Sequence, residues 1–329
     1  MTNAATTPND NSEPSWPRGI WAAVPTPFLD DQSLDLGGIR QNMARYRALG
    51  LAGVFCNGLM GEGWSLSTAE RRQIVETMVE ASGKILPIGV VTTHGSTSET
   101  LALSRHAASS GVDHIVLMRP PGLFSPDELA DLVRMIADAV ACRIVLFDSE
   151  AQSGGYPAHV IRQLAHEGRI HGVKCTRNGD AIAALRAECD DVVSICDPYE
   201  THALANLRRF NHRALYADPE PFLYQLPGRR LIHDYFDAHA RAEPTVVLQR
   251  HGELEPLRRV YERWIQTPLM RGQPINAALK QWCRRIELAA GSVRRPLRPL
   301  TSSQAAALNA DLDAAFDAVF GALPEDVAR

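Results

Sequence analysis

Eight short apolar runs, separated at a steady spacing by amphipathic segments, constrain the fold of this chain more than any other feature. The runs are Ile20–Pro25, Gly53–Cys56, Leu86–Thr92, His114–Met118, Arg143–Phe147, Ile170–Lys174, Val192–Cys196 and Arg213–Ala217. Such nearly continuous apolar runs are typical of parallel strands that are buried on both faces. Helical patterns lie between them at Thr68–Ser82, Ser98–Ser109, Pro126–Ala141 and Pro157–His166. Eight strand–helix units in about 220 residues predict an α/β fold, a closed (β/α)8 barrel of the TIM type.

The chain divides by pattern into three parts. Residues 1–18 are polar and rich in Pro and Asn, and this composition predicts a disordered leader. They do not resemble a secretion signal, because they lack an apolar stretch after a basic start. Residues 19–240 contain the eight units of the barrel. After them only helical periodicity remains, at Val246–Gln266, Ile275–Ala290 and Ser302–Phe320. Residues 241–329 are therefore predicted to form a C-terminal helical extension that packs on the barrel.

Charge and composition exclude several classes of protein. The 329 residues include 38 acids and 34 bases, whereas a nucleic-acid-binding protein that neutralises phosphates needs an excess of bases. No run approaches the roughly 18 apolar residues that a membrane span requires. The six cysteines show neither CxxC nor zinc spacing, and no GxGxxG follows the first strand. We predict a cytoplasmic protein with no metal or other cofactor, no nucleic-acid partner and no membrane partner.

Lys174 is the residue that the pattern singles out for chemistry. It ends the sixth apolar run, and in this type of barrel the active site forms where the strands end. Partial removal from water in the barrel mouth favours the neutral amine, which can condense with a ketone to a Schiff base. The alternative is a structural lysine that pairs with Asp148 or Asp197, or extends to solvent.

Several motifs occur in a recognisable order along the chain. They are IWAAVPTPF at Ile20–Phe28, GLMGE at Gly58–Glu62, GVK at Gly172–Lys174, and the C-terminal segments Pro274–Lys280 and Arg295–Leu300. Together they resemble the dihydrodipicolinate synthase/N-acetylneuraminate lyase family of class I (Schiff-base) aldolases, from about Gly19 to Thr301. The resemblance implies that Lys174 is the Schiff-base lysine, that no cofactor is needed, and that the chain assembles as a homodimer or homotetramer.

The chain departs from the family's pattern at the positions that usually relay protons. Leu59 and Met60 stand where the family has two loop threonines, and Phe147 stands where it has a tyrosine at the end of the fifth strand. An apolar wall of this kind suits pyruvate or an apolar or aryl-substituted 2-oxo acid, with an aldehyde as a candidate second substrate. Proton transfer is then expected from Asp148, His94, Asp197, Tyr199 or a bound water.

These observations predict a lyase that breaks or forms a carbon–carbon bond through an iminium and enamine on Lys174. Loop N–H groups of Gly58–Gly61 and the Arg119 guanidinium are expected to hold the substrate carboxylate. The predicted substrate-binding residues are Gly58, Leu59, Met60, His94, Arg119, Phe147 and Asp148. Two alternatives stay open: a hydratase or dehydratase that uses the same Schiff base, and a barrel that has lost turnover and only binds a small molecule.

Overall fold

Eight strands form one parallel sheet in the computed structural model, which describes residues 16–149, 154–210, 212 and 214–321. In chain order they are β1 Gly19–Ala23, β2 Gly53–Cys56, β3 Ile88–Val91, β4 His114–Met118, β5 Arg143–Asp148, β6 Gly172–Cys175, β7 Ile195–Cys196 and β8 Ala214–Ala217. Their order in the sheet is β7-β6-β5-β4-β3-β2-β1-β8, and every paired neighbour is parallel. The predicted eight-stranded α/β barrel is confirmed.

A helix follows each strand, as right-handed βα units require. These helices are α1 Leu36–Ala48, α2 Thr68–Ser82, α3 Thr97–Ser110, α4 Pro126–Ala139, α5 Ala158–His166, α6 Gly179–Cys189, α7 Glu200–Phe210 and α8 Glu220–Leu223. Several begin with a side-chain cap; Ser67, for example, forms a capping box with Glu70 at the start of α2. Such caps explain why the predicted start of α2 agrees with its observed start.

The remaining helices follow the barrel. They are α9 Leu231–Ala240, α10 Pro244–Glu253, α11 Glu255–Tyr261, a π-helical segment Glu262–Gln266, α12 Thr267–Met270, α13 Asn276–Arg285 and α14 Ser302–Phe320. The single helix predicted for Val246–Gln266 is wrong, because Pro256 lacks a backbone N–H and a new helix begins next to it. Within the described part of the chain, no helix combines the length and apolarity needed to cross a membrane.

The proposed division into a barrel at 19–240 and an extension at 241–329 stays a prediction. The expected leader falls largely on residues 1–15, which lie outside the described residues. Trp16, the first described residue, packs against the barrel: its ring centroid is 4.8 Å from that of His114.

Aromatic side chains fill the N-terminal half of the barrel interior. The Nε2 atom of His114 is 2.5 Å from the hydroxyl of Tyr216, and the Phe55 ring stacks on Tyr216 with centroids 4.5 Å apart. Gly89 leaves room for this packing, since a Cβ atom there would lie 2.3 Å from Nε2 of His114. Trp16 packs against His114 at the same end, so side chains fill the N-terminal half of the barrel interior.

His212, which precedes β8, is held as a neutral imidazole. Its Nδ1 atom is 3.2 Å from the carbonyl oxygen of Ala214, and its Nε2 atom is 2.9 Å from the hydroxyl of Ser194. Burial and the nearby cation of Arg186 lower the pKa of His212 from 6.5 to about 4. The unfolded chain therefore binds more protons than the folded chain between these two pH values, and the stability that His212 contributes is lost as the pH falls through them.

We expect His212→Gln to weaken the dependence of stability on acid pH. Between pH 7 and pH 5 the wild type should lose on the order of 1–2 kcal/mol more unfolding free energy than the variant. Urea unfolding of both proteins at the two pH values measures the difference. Parallel losses in the two proteins would show that His212 is not the responsible group.

Candidate active site

Lys174 lies on β6 inside the C-terminal mouth of the barrel. Its side chain is 2% exposed, and its Nζ atom is 2.6 Å from Oδ1 of Asp218, the residue after β8. The ring centroids of Phe147 and Phe55 are 4.5 and 5.0 Å from Nζ. Phe147 and Lys174 are partners in the β5–β6 ladder, which is why both side chains point into the barrel. The ammonium is thus enclosed by two aromatic faces and one carboxylate.

The ion pair that Lys174 forms is neither of the two pairs expected if Lys174 were a structural lysine. Its partner is Asp218, not Asp148 or Asp197. The carboxylate of Asp197 is instead 2.9 Å from Nδ1 of His202, and it accepts a hydrogen bond from the backbone N–H of Tyr199. Burial, together with the negative charge of Asp218, raises the pKa of Tyr199, so its hydroxyl stays protonated at neutral pH.

Asp148 lies on the outer side of the barrel wall. It follows Phe147 directly, and successive side chains of a strand point to opposite faces. Its carboxylate is fully buried and is held by Nε of Arg177 at 2.5 Å and by the backbone N–H of Tyr156 at 2.6 Å. These contacts fasten β5 to the loops that follow β5 and β6, and the structure does not bring Asp148 to Lys174.

His94 and Arg119 support loops around the mouth. Nδ1 of His94 accepts a hydrogen bond from the backbone N–H of Ser96, next to the start of α3. Arg119 donates from Nη1 to the carbonyl oxygens of Gly154 and Gly155, 3.1 and 3.4 Å away. Both residues follow strands at the same end of the barrel as Lys174, and their predicted roles in substrate binding stay predictions.

Carbonyl oxygens of the Gly58–Gly61 loop, which follows β2, accept hydrogen bonds from side chains of the protein. Nδ2 of Asn276 donates to the carbonyl oxygens of Leu59 and Met60, 2.9 and 3.4 Å away, and the hydroxyl of Thr26 donates to that of Gly61. The backbone N–H groups of Leu59 and Met60 have no acceptor among the residues that the structure describes. This loop therefore keeps donors available for an anionic group.

A buried ion pair anchors the same loop to the C-terminal helices. Glu62 is fully buried with a left-handed backbone (φ 53°), and its Oε1 atom is 2.7 Å from Nζ of Lys280 on α13. The other carboxylate oxygen accepts from the backbone N–H of Arg294. Lys280 also donates to the carbonyl oxygen of Ser292 and lies 4.1 Å from the ring centroid of Phe28. The sequence shows Gly58–Glu62 and Pro274–Lys280 as separate motifs, and it does not predict the ion pair between Glu62 and Lys280.

Asp218 and Glu220 are residues of the site to which the sequence assigns no role. Both follow the eighth apolar run, so their position at a strand end was the available signal. Glu220 begins α8 and is 2% exposed, and its Oε2 atom has no hydrogen-bond partner in the described part of the structure. Burial and the neighbouring charge of Asp218 raise the pKa of Glu220 well above its usual range.

A model of the Dihydrodipicolinate synthetase family matches residues 16–209, more than half of the chain. The chain belongs to this family. The match confirms the resemblance seen in the motifs, and the chain is an enzyme of this family of lyases. The expected homodimer or homotetramer and the cytoplasmic location stay predictions.

Individual relatives extend the likeness over most of the chain. It is 28% identical over 298 residues to the 4-hydroxy-tetrahydrodipicolinate synthase of Methanothrix thermoacetophila, covering 88% of this chain and 94% of the relative. Among solved structures, it is similar to YagE of E. coli K12, a prophage protein of the dihydrodipicolinic acid synthase family in complex with pyruvate (TM-score 0.79, 20% identity, 92% of this chain and 99% of that chain). It is also similar to N-acetylneuraminate lyase of Proteus mirabilis (TM-score 0.74, 24% identity, 91% and 98% covered). These structures confirm the fold.

Proposed function

We propose that this protein is a Schiff-base-forming lyase or aldolase that acts on a 2-oxo acid, either pyruvate or an apolar or aryl-substituted derivative. One observation carries the proposal: Nζ of Lys174 lies in the C-terminal mouth of the barrel, between the rings of Phe55 and Phe147. A primary amine in the mouth of such a barrel is a nucleophile for a ketone carbon. The position of Lys174 in a GVK motif of this family supports the same role.

The surroundings of Lys174 favour a substrate with an apolar end and an anionic end. Two aromatic rings bound the space near Nζ, and neither offers a hydrogen bond to a hydroxylated chain. The N–H groups of Leu59 and Met60 and the guanidinium of Arg119 are the donors proposed for the carboxylate. The complex of the structurally similar YagE with pyruvate supports a 2-oxo acid of this size.

The chemistry follows from the iminium that the amine would form. A protonated C=N bond next to the reacting carbon accepts the electron pair of a breaking carbon–carbon bond and becomes an enamine. In the reverse direction the enamine carbon attacks an aldehyde and the iminium is regenerated. Hydrolysis of the iminium then releases the product and restores the Lys174 amine.

Borohydride trapping tests this function with little ambiguity, because the chain contains only three lysines: Lys84, Lys174 and Lys280. Lys84 is exposed and reports non-specific labelling. Lys280 is 1% exposed within its ion pair with Glu62. We expect pyruvate and its apolar derivatives, followed by borohydride, to modify the peptide that contains Lys174.

The matched control is Lys84→Arg, which should leave the trapped adduct unchanged. Modification that disappears in Lys84→Arg would be surface labelling and would count against the proposal. No adduct with any 2-oxo acid of the series would point instead to a barrel that binds without covalent chemistry.

A further inference from the structure

Iminium formation on Lys174 requires a group that carries protons within the site. The Lys174 ammonium carries three protons and the iminium nitrogen carries one, while the ketone oxygen leaves as water. Two protons must therefore travel from nitrogen to oxygen within the site. Phe147, Leu59 and Met60, which replace the hydroxyl residues of the family, have no exchangeable side-chain proton.

We propose that Asp218 carries both protons, and that it takes over the task of the missing tyrosine and threonines. This inference rests on the proposed function. Asp218 first accepts a proton from Nζ, which frees the lone pair of the amine to attack C2 of the 2-oxo acid. The C2–O π electrons move to oxygen, and Asp218 returns the proton there to give a carbinolamine.

The second proton follows the same route. The carbinolamine nitrogen loses a proton to Asp218, and Asp218 delivers it to the hydroxyl group. The C2–O bond breaks, water leaves with the bonding pair, and the nitrogen lone pair forms the C=N bond. The sum is ammonium plus ketone giving iminium plus water, and Asp218 begins and ends as a carboxylate.

The geometry of Asp218 fits this task. Its Oδ1 atom is 2.6 Å from Nζ, a distance at which proton transfer needs no rearrangement. Its carbonyl oxygen accepts a hydrogen bond from the backbone N–H of Ala23 on β1, so the residue is fixed at the rim of the barrel. Among the described contacts of Lys174, Asp218 supplies the carboxylate, whereas Asp148 is engaged by Arg177 and Asp197 by His202.

Three buried or nearly buried carboxyl groups, those of Asp218, Glu200 and Glu220, lie close to one another. Arg258 holds Glu200 with two hydrogen bonds of 2.8 Å, and Lys174 holds Asp218. Glu220 has no ion pair of its own in the described part of the structure. Two buried cations thus balance two carboxylates, and burial together with the charge of Asp218 raises the pKa of the third carboxyl group, Glu220, well above its usual range. In the described part of the structure, the carboxyl group paired with Lys174 is therefore that of Asp218 and not that of Glu220.

The test compares the rate at which the trapped adduct forms with pyruvate as the probe. We expect Asp218→Asn to slow adduct formation by about 10²–10⁴-fold, while Asp218→Glu recovers part of the rate. If Asp218 only neutralised the charge of Lys174, Asp218→Asn would instead speed adduct formation. Without the carboxylate the neutral amine is favoured, and the neutral amine is the form that attacks the ketone. If Asp218→Asn does not fold, Asp218→Ser removes the carboxylate with a smaller side chain and carries the same expectation.

The outcomes separate this inference from the proposed function. No adduct on wild-type Lys174 would reject the proposed function itself. An adduct that forms in Asp218→Asn at the wild-type rate or faster would overturn the role of Asp218 and leave the Schiff base intact. Slowing by Asp197→Asn and not by Asp218→Asn would likewise overturn it, since the proton carrier would then be the other carboxylate.

Discussion

Lys174→Ala is expected to abolish the borohydride-trapped adduct and to reduce turnover of the trapped 2-oxo acid by on the order of 10⁴–10⁶-fold. Alanine supplies no amine, and neither remaining lysine can replace it. Lys84 is exposed beyond the end of α2, and Lys280 is engaged by Glu62 beneath the Gly58–Gly61 loop. Turnover assays and peptide mass analysis of wild type and variant measure the effect.

Lys174→Arg is the control for the charge of the side chain. A guanidinium keeps a cation beside Asp218 and does not form a Schiff base under these conditions. It should therefore lose turnover as Lys174→Ala does, while its thermal unfolding stays closer to that of the wild type. Full turnover in either variant would mean that Lys174 is not the nucleophile.

Lys280→Ala is expected to destabilise the protein by about 3–5 kcal/mol, because it leaves the Glu62 carboxylate buried without its cation. Glu62 is fully buried and its Oε1 atom is 2.7 Å from Nζ of Lys280. Urea unfolding measures the loss. Because this pair holds the Gly58–Gly61 loop, we also expect a raised KM for the 2-oxo acid.

Two controls isolate the buried pair. The double variant Glu62→Gln with Lys280→Met removes both charges and should recover much of the lost stability. Arg40→Ala removes one partner of an exposed pair with Glu80, whose side chains are 49% and 71% exposed, and should change stability little. A Lys280→Ala variant as stable as Arg40→Ala would contradict the structural role assigned to the pair.

The fold was predictable from the sequence because strands buried on both faces leave a strong local signal. All eight strands lie within a few residues of the predicted runs, and β2 and β4 agree at both ends. The helical pattern at Val246–Gln266 was less informative, since an apolar periodicity continues across Pro256 although the helix does not. Local patterns therefore predicted where strands and helices lie better than where a helix is interrupted.

The candidate site was predictable in part. Lys174 could be found because it ends the sixth apolar run, but its partner Asp218 is 44 positions away, and only the packing of the barrel brings them together. The same reasoning predicts Asp148 in the site, because it follows the fifth apolar run directly. Strand alternation argues against that assignment, since Phe147 faces the interior and its neighbour must face outward. The hydrogen bonds of His94 and Arg119 depend on loop conformations that no periodicity encodes.

Exchange of the C3 hydrogens of pyruvate with solvent tests the central claim most directly, because it needs no second substrate. An enamine on Lys174 takes up its C3 proton from water, so repeated formation and hydrolysis of the iminium replaces hydrogen by deuterium in D2O. We predict that wild-type protein erases the methyl proton signal of pyruvate in NMR spectra, whereas Lys174→Ala leaves it at the rate without protein. Retention of the C3 proton signals with wild type for pyruvate and its alkyl derivatives, or equal loss in both proteins, would contradict the account.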